Sequence, residues 1–164
     1  MSEPEVWLRG PLPDYVDELQ PVAHSLLQVR EEIADVASLT SVQLWARPGG
    51  VASIGFHLKH LRGSLDRLMM YASGKPLSVA QYEFLAAEEQ QQAETADALV
   101  RHAQAAIDRA LTHVRTTPLC TLDESREVGR NRLPSTVLGL LFHAAEHAQR
   151  HSAQIITTAK VVRA

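Results

Sequence analysis

The chain has 164 residues, 45% apolar and 21% charged, and its mean hydropathy of -0.12 is too high for a disordered chain and too low for a membrane protein. Sixteen basic residues against 19 acidic ones give a formal charge of -3, so there is no general cationic surface and no nucleic-acid partner is expected. The length fits one domain over residues 1–164. The single Cys120 cannot pair internally and the first twenty residues carry no apolar signal-peptide run, so a reducing cytoplasm is the expected address, with no membrane partner.

From about Pro13 to Ala37, apolar residues recur at three- and four-residue steps (Val16, Leu19, Ala23, Leu26, Ile33, Val36), which predicts a first helix. Leu39 to Gly50 ends in Pro48-Gly49-Gly50 and reads as a loop. Ile54, Leu58, Leu61, Leu65 and Leu68 define a second helix, which stops near Ser73, Gly74 and Pro76. Ser78 is a plausible N-cap for a third segment that runs without Gly or Pro to Val114, making it the expected longest helix. Thr116 to Leu133 loses the helical period and reads as a crossover loop, with no convincing β alternation. Pro134 and Ser135 then open a fourth helix, which continues almost to Val161. Four long amphipathic helices predict an all-α, four-helix bundle.

Eight residues are histidine, and their positions carry more information than their number. His143, His147 and His151 recur at i, i+4 and i+8 on the last helix, a stripe about 80° wide with about 6 Å of rise between neighbours. Ala144, Ala148, Leu141 and Ile155 lie to one side of that stripe and Arg150 and Glu146 to the other, so the histidines border the core. On the second helix, His57 and His60 lie within about 60° of each other, also at the edge of an apolar face. If the two helices are neighbours, His60 completes a three-nitrogen site with a pair from the last helix. Three protein ligands leave positions open for water or substrate, and neutral imidazole suits zinc, nickel, iron or copper. Lone histidines are ordinarily hydrogen-bonded core or surface residues, and His24, His102 and His113 belong to that class.

Two other motifs carry less. His143-Ala-Ala-Glu-His147 matches the inverted zinc-protease pattern, but that chemistry needs a further acidic ligand downstream and no Asp or Glu follows His147. No G-x-S-x-G elbow occurs, and Cys120 has no local His partner to activate it.

Trp45-Ala-Arg-Pro48-Gly-Gly-Val-Ala-Ser53-Ile-Gly-Phe-His57-Leu-Lys-His60, together with His143-Ala-Ala-Glu-His147-Ala-Gln-Arg-His151-Ser-Ala-Gln154-Ile, resembles DinB/YfiT-like proteins over nearly the whole chain. The resemblance implies a four-helix bundle, often dimeric, in which one His from the second helix and an H-x3-H pair from the last hold a divalent metal. These map onto His60, His147 and His151. The family's H-x-x-Q ending is matched by His151-Ser-Ala-Gln154, although Ser-Ala replaces the frequent Arg-Gly before Gln. Relatives of this kind include thiol S-transferases that use low-molecular-weight thiols, a mycothiol-dependent isomerase and proteins assigned as hydrolases. The expectation is therefore a homodimeric metal-dependent enzyme acting on a small molecule, with zinc or nickel foremost and iron next. Metal-bound water or thiol would be the nucleophile. His57, His143, Arg67, Arg150 and Gln154 would line its pocket or support its ligands. The competing expectations are a metal-binding bundle that acts through protein contacts without turnover, and an apo bundle whose histidines only fill a polar seam.

Overall fold

Pro21 sits in the first turn of α1 (Gln20–Glu32), where its missing N–H would have had no helical acceptor in any case. The computed structural model describes residues 4–164. Tight 3-10 turns at Asp17–Leu19 and Ile33–Val36 flank α1, so the regular helix is shorter than the apolar pattern suggests. Within the predicted loop a short helix forms, α2 (Ser41–Trp45). A reciprocal cap starts it: the Thr40 hydroxyl accepts from the Gln43 N–H, and Gln43 Oε1 accepts from the Thr40 N–H at 3.1 Å. Gly49 and Gly50 then take φ of +62° and +82°, which reverses the chain at little steric cost. Ser53 caps α3 (Ile54–Ala72) through the Phe56 N–H at 3.1 Å. At Gly55 an added Cβ would come within 2.7 Å of the Trp45 ring, so the glycine lets α2 lie flat on α3.

The single long third helix expected from the sequence is two helices. Ser78 does cap the first, α4 (Val79–Ala87), but the chain leaves helical geometry at residues 88–95 and restarts under a Thr95 cap as α5 (Ala96–Thr116). The break is held from below. Lys59, buried at 2% exposure, donates from Nζ to the Ala87 and Gln90 carbonyls at 2.5 and 2.8 Å. Carbonyls freed at a helix end are thus satisfied by a cation, which also suits the negative end of the helix dipole.

The predicted crossover contains an antiparallel hairpin, β1 (Ser125–Val128) with β2 (Leu133–Thr136), in the register Ser125↔Thr136 to Val128↔Leu133. Pro134 lies in β2, so the last helix, α6 (Val137–Arg163), starts three residues later than the sequence suggests, under a Thr136 cap. At 27 residues α6 is the longest helix. The described residues are mostly helical, with this one small sheet. α3 packs between α5 and α6, and α1 packs against the same two from the other side. Leu26, Leu58, Leu61, Leu65, Ile107 and Leu141 are fully buried among them. Among the described residues no helix is long and apolar enough to cross a membrane. The close α3–α6 seam places the histidines of the two helices opposite each other.

Candidate metal centre

His60 reaches the seam from α3, and His147 and His151 reach it from successive turns of α6. One ring nitrogen from each lies within 4.8 Å of the others, and the ring centroids are 4.5–5.1 Å apart. Metal–imidazole bonds of about 2.0–2.1 Å draw ligand nitrogens to within about 4 Å of one another, so the triangle has the scale of a single ion. All three rings are half-buried, leaving one side of the cluster toward solvent.

The hydrogen bonding of the rings shows how the residues fit a cation. His60 Nδ1 lies 2.7 Å from Glu88 Oε2. A carboxylate only accepts, so the proton sits on Nδ1 and the Nε2 lone pair is left for the centre. His151 Nδ1 lies 2.8 Å from His57 Nδ1; either neutral ring can donate in this bond, and the tautomer in which His151 donates leaves its Nε2 lone pair for a metal. Nδ1 of His147 is buried with no hydrogen-bond partner, and an unpaired polar atom of this sort is costly unless a ligand satisfies it. Phe56 stacks on His60 with centroids 5.4 Å apart and closes one flank.

Glu88, which sequence reasoning missed, is the hub behind His60. It is 2% exposed, and its Oε1 accepts from Arg67 Nη1 at 2.7 Å. An added Cβ at Gly63 would overlap Glu88 Oε1 and stand 2.7 Å from Arg67 Nη1. The glycine therefore leaves the opening through which a side chain from the α4–α5 break reaches α3. Two signals for this were present: a Gly inside a strong helical pattern, and the polar run Glu88-Glu89-Gln90-Gln91-Gln92 interrupting the apolar stripe between Leu85 and Leu99.

The other expected residues divide. His57 is buried against His151. Arg67 is buried and engaged by Glu88 rather than turned toward a substrate. His143 Nδ1 is 2.7 Å from Glu146 Oε1, and its ring meets the edge of His147 at 5.3 Å. Arg150 is exposed and pairs with Glu146 at 2.8 Å. Gln154 is exposed one turn beyond His151.

Burial lowers three of these imidazoles, His57 and His147 to about 4 and His151 to about 3. The neighbouring His60 adds to each, as do His143 and Arg150 for His147 and His147, His57 and Arg150 for His151, while Glu146 opposes the shift at His147. All three are neutral at pH 7 and keep a lone pair. Their folded pKa values lie below the ordinary 6.5, so on acidification the unfolded chain takes up protons first. The associated stability is complete above about pH 6.5 and is lost as the pH falls through about 4 and then about 3. The melting temperature of chelator-treated protein, followed by circular dichroism, is expected to decline steadily across that window; a flat profile would contradict the neutral cluster.

The sequence model of a family described as the DinB superfamily matches residues 19–155, a span that includes every histidine of the cluster. No curated protein matches the chain.

Proposed function

Because the chain belongs to the DinB superfamily, we propose that it is a metal-dependent enzyme built on a four-helix bundle of the DinB/YfiT type, in which His60, His147 and His151 hold one divalent transition metal, zinc or nickel before iron. The reaction is transfer of a low-molecular-weight thiol to an electrophilic small molecule, or hydrolysis of such a molecule. The observation that carries the reading is the histidine triangle whose outer nitrogens on His60 and His151 already have partners, with a half-open face left over. A metal there supplies Lewis acidity, lowering the pKa of a coordinated water or thiol.

The chain's own residues supply orientation and proton handling. Glu88 fixes the His60 ring and strengthens it as a donor, and His57 holds the His151 ring in place through the bond between their Nδ1 atoms. His143, whose Nδ1 lies 2.7 Å from Glu146 Oε1 and whose ring meets the edge of His147 at 5.3 Å, serves as the base that takes the nucleophile's proton. Arg150 stands beside it to receive an anionic group. We also propose a homodimer, with a mass in solution about twice that of the 18.1 kDa chain.

Elemental analysis of purified protein tests the metal, with one ion per chain expected. The loaded protein is then incubated with cysteine, glutathione, bacillithiol or mycothiol and a chlorinated electrophile, and conjugates are followed by mass spectrometry. Conjugate that disappears on chelation supports the transferase; ester or amide cleavage that disappears on chelation supports the hydrolase. Bound metal with neither reaction would replace both by a non-catalytic metal protein, and absence of metal would sink the reading.

A further inference from the structure

The stripe that carries the histidines does not stop at His151. His147, His151, Gln154, Thr158 and Val161 follow one another on α6 at alternating steps of four and three. A full turn takes about 3.6 residues, so all five lie within about 80° of one another and one face runs continuously from the cluster. Gln154 lies about 4.5 Å along the axis beyond His151, and Val161 about 15 Å. Over that stretch α6 forms one wall of a groove of about 610 Å³, with Pro48, Gly49 and Val51 opposite, a volume within the range of small-molecule sites. None of the residues lining it is charged. Val51 and Val161 leave 51% and 55% of their surface to solvent, an arrangement that favours an apolar occupant.

The opposite wall is fixed in advance. Gly49 and Gly50 reverse the chain at positive φ, Arg47 Nε donates to the Val51 carbonyl at 3.2 Å, and Gln43 Nε2 donates to the Val162 carbonyl at 3.3 Å. A groove so framed is pre-formed and needs little ordering on binding. At its near end the exposed Gln154 amide has both a donor and an acceptor to offer, one turn from the metal ligands.

We infer that this groove is the subsite for an uncharged, elongated acyl or alkyl portion of the substrate, whose reacting head lies at the histidine cluster. The inference rests on the metal-centre reading. It commits to a small molecule because the groove continues the face that carries the ligands, with Gln154 placed to hold an amide or ester carbonyl next to the reacting centre.

Alkyl hydroxamates, which carry a metal-chelating head on a tail of chosen length, test the groove and the metal centre separately. With zinc-loaded protein, calorimetry is expected to show octanohydroxamate binding at least tenfold more tightly than acetohydroxamate. Thr157→Trp and Ala153→Trp, both at exposed positions of α6, are expected to remove that advantage while leaving the zinc content, the acetohydroxamate affinity and the mass in solution unchanged. Equal affinity for the two ligands, or a tail advantage that survives both substitutions, would overturn the groove while leaving the metal centre standing. A dimer that Thr157→Trp dissociates would give the groove to a second copy of the chain and also overturn it. Acetohydroxamate failing to bind would bring down the metal centre and this inference with it.

Discussion

Glu88→Ala is expected to destabilise the fold by about 3–5 kcal/mol and to weaken metal binding about 10- to 100-fold. The first effect follows from what is left behind. Arg67 is 9% exposed, and its Nη1 donates to the Glu88 carboxylate, so the substitution strands a buried guanidinium. Removing one member of a buried pair costs more than the pair was worth, because the survivor keeps its desolvation penalty. For a chain of this size, such a loss lowers the melting temperature by roughly 10 °C. The second effect follows from His60, whose Nδ1 loses its acceptor at 2.7 Å; the ring is then free to rotate and is a poorer donor. Glu88→Gln keeps the volume and one accepting oxygen, and is expected to fall between the two proteins in both respects. Thermal melts and competition against a chromogenic chelator measure both quantities. Unchanged metal affinity in both variants would show that Glu88 is not what orients His60.

His147→Ala is expected to do the opposite: to leave the fold nearly intact and remove the metal. The ring is half-buried and its Nδ1 has no partner, so deleting it trades lost packing against relief of an unsatisfied polar atom, a net change of about 1 kcal/mol or less without metal. With metal the two proteins part. A ligand present at 100 times its dissociation constant stabilises the native state by about 2.7 kcal/mol, and the wild-type melting temperature is expected to rise by roughly 5–10 °C on zinc addition. The variant is expected to show no rise and to retain under one tenth of the metal after dialysis, with its helical circular dichroism preserved. Full metal content in the variant would refute the ligand assignment.

These two residues also mark what could be read in advance. His147 and His151 stand on one helix, and helical periodicity alone fixes their relation; His60 followed from its place at the edge of a second apolar face. Glu88 could not be reached in this way. Its role depends on a helix ending at Ala87, where no Gly or Pro marks the stop: Lys59, 28 residues earlier, holds the chain there by reaching the Ala87 and Gln90 carbonyls. Reading Ser78 to Val114 as one helix followed from the absence of Gly and Pro, and tertiary contact overrode it. The β1–β2 hairpin escaped for a different reason. Its strands are four residues long, one contains Pro134, and so short an alternation is not distinguishable from an irregular segment. Arg67 could be placed on the His60 stripe but not assigned, since helical periodicity does not reach its partner, Glu88.

Lys59 has a mechanical consequence. It belongs to the same turn of α3 as His60, yet it fastens the chain just before and after Glu88, so the ring, its carboxylate and the strap that delivers the carboxylate are all bolted to one rod. The other two imidazoles ride on α6. A cation held by all three would therefore join two rods across a single seam, with the carboxylate behind His60 already in place before it binds.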